Sequence, residues 1–318
     1  MLKFAGLIFL TFLMSCSSST DKKSPLVVKT VLSKELKEIS GITAVGDNIW
    51  AITDKPRARV FKLDATGKLL QTVNVMNVEA ADVEAVSSDK DFVYLGDVGD
   101  NTGDRLERKI IKIAISKIPA GAEVQLAADT INFTFPDEAT TTDKKQNNFD
   151  CESLLSFKDS LYVFTKDRED KETKLYVIPK TPGNYVARYI NTFNSDGLVT
   201  DAAVNKSNTE LALIGYHKGH VYPFIYLFTG FKGNDFFSGE QQKIELANKD
   251  WDWQLEGITY NNKDIVYFSC EGTEDVPATF YGINRDDIFK LKKKKEKKKS
   301  SDDDDEGQGL TKKGHLKM

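Results

Sequence analysis

Five times along the chain a polar residue opens a short apolar run, a polar turn follows, and a second apolar run ends on another polar side chain. The copies run from Ser40 (SGITAVGDNIWAITD) to Asp54 and from Glu84 (EAVSSDKDFVYLGD) to Asp97. The third runs from Glu152 (ESLLSFKDSLYVFTK) to Lys166, and the fourth from Asp201 (DAAVNKSNTELALIGY) to Tyr216, with His217 next. The fifth runs from Glu256 (EGITYNNKDIVYFSCE) to Glu271. Opening and closing residues lie 13 to 15 positions apart in every copy. Apolar runs of this length, rich in Val, Ile, Tyr and Phe and bounded by Gly, Asn and Asp, predict strands joined as hairpins.

A third apolar run follows each hairpin: Arg59–Leu63, Lys109–Ile115, Lys174–Ile178, Val221–Phe228 and Thr279–Ile283. A fourth follows in the first four copies: Leu69–Val75, Thr130–Phe135, Tyr185–Thr192 and Gln242–Leu246. The fifth copy lacks one, while a spare strand, Leu26–Leu32, precedes the first. Joining the two closes a ring and covers edges that an open array would expose. The prediction is an all-β, five-bladed β-propeller closed by an N-terminal strand, with six blades as the main alternative. The opening residues are spaced 44, 68, 49 and 55 apart. The longest interval contains Ser116–Asp129 and Pro136–Asn148, which read as inserted loops rather than another blade.

The two ends read differently. Lys3 precedes an apolar stretch, Phe4 to Met14, about half the length of a membrane span. The residues Leu13-Met14-Ser15-Cys16 resemble the lipobox of bacterial lipoproteins. Residues 1–15 are therefore expected to be a lipoprotein signal peptide, Cys16 the lipidated residue and 16–24 a Ser-rich tether. The propeller should occupy 25–289, and 290–318 a disordered charged tail. This predicts a monomer held through Cys16 at the cell envelope, in the outer membrane.

The tail holds 11 Lys+Arg and 6 Asp+Glu, out of 44 and 48 in the whole chain, so the remainder is acidic. That excludes a nucleic-acid partner, whose binding rests on neutralised phosphates. Cys151 and Cys270 fall in different copies and are expected to be buried free thiols. No zinc-type spacing, Gly-x-Ser-x-Gly elbow, His-Glu-x-x-His or phosphate-cradling loop occurs.

In a propeller the first strand of each blade lines the channel. Ser40, Glu84, Glu152, Asp201 and Glu256 are thus expected to converge on one mouth, with Asp82 and Asp150 beside them. Asp54, Asp97, Lys166, His217 and Glu271 should form an outer ring on that face. Crowded carboxylates need protons, cationic side chains or a metal. Glu84, Glu152, Asp201 and Glu256 are the candidate ligands of a hard cation, Ca2+. The alternative is a set of acids capping backbone amides. The loop Asp97–Asp104 lacks EF-hand order, His217 and His220 share a rim loop, and Trp251 and Trp253 lead into Glu256.

The segments ISGIT, IWAITD, ARVFKLDATGKLLQTV, DVEAV, VYLGDVGDN and LEGIT resemble the SdiA-regulated family of bacterial envelope propellers. They also resemble the related propellers named for an esterase-like activity of phytase. The resemblance covers residues 26–289 and implies a calcium-bound propeller in the envelope; its phytase-like branch implies phosphoester hydrolysis on a metal-lined face. Two functions follow: a lipid-anchored propeller that binds a small ligand or protein partner at an acidic face, or a metal-dependent phosphoester or ester hydrolase.

Overall fold

A computed structural model of the chain describes residues 24–138, 143, 146–217, 222–246 and 254–291. The signal segment, Cys16, and the tail from residue 292 lie outside the described residues. Strand β1 (Leu26–Val31) comes first. Blade one takes β2 (Ile39–Val45), β3 (Asn48–Thr53), β4 (Arg59–Leu63) and β5 (Leu69–Val75). Blade two takes β6 (Val83–Ser88), β7 (Phe92–Asp97), β8 (Arg108–Ala114) and, after β9 (Glu123–Leu126), β10 (Asp129–Thr134). Blade three takes β11 (Cys151–Phe157), β12 (Ser160–Thr165), β13 (Glu172–Pro179) and, past β14 (Gly183–Val186), β15 (Arg188–Asn194). Blade four is β16 (Leu198–Val204), β17 (Glu210–Tyr216), β18 (Pro223–Thr229) and β19 (Glu240–Glu245). Blade five is β20 (Leu255–Tyr260), β21 (Ile265–Cys270) and β22 (Thr279–Asn284), and β1 completes it by pairing antiparallel with β22.

The chain is therefore a five-bladed β-propeller closed by its N-terminal strand. The inner strands follow one another around the channel in the order β2, β6, β11, β16, β20, and β20 returns to β2. Apolar side chains gather into five clusters, each shared by two neighbouring blades. Trp50, Ile52 and Val60 of blade one meet Val93, Leu95 and Ile111 of blade two, for example. Each fully buried side chain of this kind contributes about 1.5–3 kcal/mol. A blade has two apolar faces and cannot bury both without two neighbours, which is why the ring must close. Cys151 and Cys270 are buried and unbridged, as their placement in different copies suggested.

Three expectations change. The segment 116–129 is more than a loop, because β9 adds a fifth, parallel strand to blade one beside β5. The run Tyr185–Thr192 is two strands rather than one, since β14 leaves blade three and pairs parallel with β10 of blade two. A 3-10 segment, Arg285–Leu291, buries Ile288 and Leu291 and carries the ordered body past residue 289.

Candidate functional site

Every inner strand has a register shift near its start, where one residue is left unpaired with the second strand. The skipped residues are Ser40, Glu84, Glu152, Thr200 and Glu256. Such a bulge kinks the strand and re-aims the extra side chain, so these five side chains form the repeating ring at the mouth. Asp201 is not among them. It sits one residue further in, where the other blades carry Gly41, Ala85, Ser153 and Gly257.

The Asp201 carboxylate spans the channel instead. It accepts hydrogen bonds from Ile258 N in β20 at 2.9 Å, from its neighbour Ala202 N at 2.8 Å, and from Ile42 N in β2. Gly257 makes room for this: a Cβ there would lie 3.0 Å from Ile42 N. Burial pushes the Asp201 pKa well above the ordinary value, while the three N–H bonds oppose that shift. Thr200 and Ser40 donate their hydroxyls across blade boundaries, to Leu255 O at 2.6 Å and Val83 O at 3.2 Å.

The outer ring also moves by one position in two blades. Asp97 pairs with Val83 inside the ladder. There it accepts from Asp82 N at 2.8 Å and from Arg105 Nη2 at 3.0 Å, holding the loop in place. His217 lies further out, 3.4 Å from Glu245 and against the Phe224 ring. Tyr216 faces the site instead. Its hydroxyl sits 2.9 Å from Lys166 Nζ.

Lys166 is the central cation. It is buried and ion-paired with Glu152 Oε1, while Glu152 Oε2 is buried without a hydrogen-bond partner. Burial works against its ammonium, yet Glu152, Tyr216, Glu256 and Asp150 outweigh that and hold its pKa well above the ordinary lysine value. Arg168 is committed to Asp150, and Gln254 Nε2 donates to Glu256 Oε1 at 2.9 Å. Burial, then repulsion from Glu152, pushes Glu256 well above the usual carboxylate range. Glu84 is raised likewise, by burial and then by Glu152, Asp54 and Asp82.

On the far side of Lys166, carboxylate oxygens of Asp54, Asp82 and Glu84 lie within 4.8 Å of one another. Burial and the mutual repulsion of these acids raise both Asp82 and Glu84 above the usual carboxylate range. Gly99 of the covering loop permits this approach: a Cβ there would fall 2.4 Å from Asp82 Oδ2 and 2.7 Å from Glu84 Cγ. The loop itself is an ordinary turn. Asp100 Oδ1 accepts from Gly103 N at 2.9 Å and Asp104 N at 3.1 Å, and its Oδ2 pairs with Arg108. Glu271 stands nearby, raised to about 7 by burial and then by Asp54 and Glu152. Asp82 is raised to about 6 by burial, Asp54 and Asp150.

These two raised values set a pH window. The folded state binds protons that the unfolded state releases above about pH 4, so this part of the stability is lost as pH rises toward 7. Urea denaturation in chelator should show that decline between about pH 4 and 7, flattened in Asp82→Asn and Glu271→Gln. An unchanged slope in both variants would contradict the electrostatics described.

The structure thus gathers Glu84, Glu152, Glu256, Asp54, Lys166 and Glu271 on one face, with Asp82 and Tyr216. It separates Asp201, Asp97 and His217 from them. Of the four expected cation ligands only Glu84 lies in the tight carboxylate group: Lys166 takes Glu152, backbone amides take Asp201, and Glu256 lies beside Gln254. His220, Trp251 and Trp253 lie outside the described residues.

No protein-family model and no curated protein matches this chain. Solved structures do. Hydrazine synthase from Kuenenia stuttgartiensis is 14% identical, with TM-score 0.40, over 78% of this chain and 60% of that one. A protein of unknown function from Bacteroides caccae is 9% identical, with TM-score 0.41, over 72% and 69%. The Cps50 (Swd1) β-propeller domain of Myceliophteria thermophila is 10% identical, with TM-score 0.35, over 76% and 82%. This chain therefore spans under two thirds of the hydrazine synthase chain it matches.

Proposed function

We propose that this protein is a lipid-anchored propeller of the bacterial cell envelope that binds Ca2+ at the acidic mouth and, beside it, a small ligand or protein partner. The observation that carries the reading is the group Asp54, Asp82 and Glu84. Three carboxylates converge under a glycine, while the nearest ammonium is committed to Glu152 and Tyr216. An all-carboxylate oxygen set suits a hard cation, and the missing Cβ at Gly99 lets the covering loop pack close over the acids. Asp54, Asp82 and Glu84 would hold the ion, with Glu271 alongside. The lipoprotein and SdiA-regulated readings rest on Leu13–Cys16 and on the short blade motifs.

Titration calorimetry on the full-length chain tests this. Saturable Ca2+ binding at pH 7.5, lowered at least about tenfold by Asp82→Asn or Glu84→Gln, is expected; tenfold corresponds to 1.4 kcal/mol. Heat that is absent, or identical in both variants, would refute the cation site.

A hydrolase is the second reading, and one observation favours it. Tyr216 is a neutral phenol, its pKa raised by burial and then by Glu256, and its hydroxyl is hydrogen-bonded to a buried ammonium next to the carboxylates. Such a phenol keeps its proton and can hydrogen-bond and polarise a substrate oxygen. Turnover of phosphomonoester, phosphodiester or carboxyl-ester substrates that disappears in both Tyr216→Phe and Glu84→Gln would select the enzyme.

A further inference from the structure

The opposite end of the channel holds a cavity of about 630 Å³, built by the inner strands of all five blades. Its floor includes Ile42, Val86, Leu155 and Ile258. Asp201, bonded to the backbone of Ile42 and Ile258, sits between this cavity and the acidic mouth. The two ends differ in chemistry: among the described residues, the lining of the lower one includes no buried carboxylate or guanidinium.

Hydroxyls line it instead, and several are held in place from behind. Ser87 Oγ accepts from Ser156 N of the next blade at 2.7 Å. Thr259 Oγ1 accepts from Ala44 N across the ring-closing boundary at 3.0 Å. Each oxygen is thereby fixed by a neighbouring blade's amide, and each keeps its own proton to donate. Ser156 Oγ is buried away from the cavity, so it is not one of these donors. Thr43 and Ser88 are bonded to one another at 2.8 Å, so they are already satisfied. The result is a set of oriented O–H donors above an apolar floor.

The charged residues of the wall do not alter this chemistry. Asp89 is tied to Lys180 at 2.9 Å and to the Tyr94 hydroxyl at 2.9 Å. The Lys90 side chain is 89% exposed and Lys206, the other lysine of the wall, is also exposed, so both ammoniums stay in water. A cation would meet hydroxyl protons rather than carboxylates. An anion would find no buried positive charge to replace its water. A ligand with many neutral oxygens and apolar C–H faces satisfies both the donors and the floor, and the volume lies within the range of small-molecule sites.

We propose that the lower mouth is a second, metal-independent binding site for a neutral polyhydroxylated ligand, a monosaccharide or the end of a glycan. Saturation-transfer NMR and calorimetry on the full-length chain in chelator would test it with glucose, galactose, N-acetylglucosamine, maltose and cellobiose, and with inorganic phosphate as the anionic arm. Saturable binding of at least one sugar, unaffected by Glu84→Gln, is the expected result. Thr259→Val, which keeps the shape of the side chain and removes its hydroxyl, should weaken it about 3–10-fold, the worth of one hydrogen bond. Ser156→Tyr, which fills the cavity, should abolish it. Circular dichroism at the titration temperature shows whether both variants are folded, so that lost binding reports on the site. Binding of phosphate alone, no saturable sugar, or sugar binding indifferent to both variants would overturn the proposal.

Discussion

An Asp201→Ala chain is expected to lose about 3–5 kcal/mol of unfolding free energy, because buried amides in three segments of backbone lose their acceptor together. Ile42 N belongs to β2 and Ile258 N to β20, so the carboxylate bonds the strands on either side of the ring-closing boundary. Neither amide can reach water at that depth, where Ile42 and Ile258 are each 1% exposed. The comparison that makes the result informative is Glu84→Ala. Glu84 is equally buried but lies among other acids, and removing it relieves repulsion in chelator. It should therefore cost far less, or stabilise the protein. Urea unfolding curves of the two variants at the same pH give the answer. Equal losses would mean that Asp201 is no more than another mouth acid.

Lys166→Met should be comparably severe, with a loss of about 3–5 kcal/mol at pH 8, since it strands the buried Glu152 carboxylate without its cation. The loss should shrink at lower pH. Glu152, already pushed upward by burial, then takes a proton and no longer needs the ammonium. Adding Glu152→Gln should recover most of the stability, because removing both partners of a buried pair is far milder than removing one. If the double variant is as unstable as Lys166→Met, the ammonium's main role is with Tyr216 and Glu256 rather than with Glu152. Unfolding measured at pH 5.5 and 8 for the three variants separates these outcomes.

Much of the fold was legible because blade formation is local. Each copy supplies its own alternating runs and turns, and a spare strand at one end answers a missing strand at the other. The exceptions are β9 and β14, which are short, pair parallel and lie far in sequence from their partners. No local period distinguishes such a strand from a loop. The fourth copy shows a different kind of miss. Ile39-Ser40-Gly41, Val83-Glu84-Ala85, Cys151-Glu152-Ser153 and Leu255-Glu256-Gly257 share the order apolar, polar, small. In Val199-Thr200-Asp201 the same order places Thr200 in the ring, and the apolar Val199 was the signal that Asp201 lies one step inside. Tyr216 and Val98 follow from the same one-residue correction at the ends of the second strands.

By itself, the sequence favoured five blades over six and indicated the closing strand and the acidic character of one channel mouth, because period, length and residue type are local properties. Only the tertiary structure decided which acids share a site. Lys166 finds Glu152 within its own hairpin but Tyr216 from the next blade, 50 residues on. Asp54 meets Asp82 and Glu84 only because blades one and two are adjacent and Gly99 lets the covering loop come close. Charge pairing depends on distances between blades, and those are set by the packing of apolar faces that no stretch of sequence records alone.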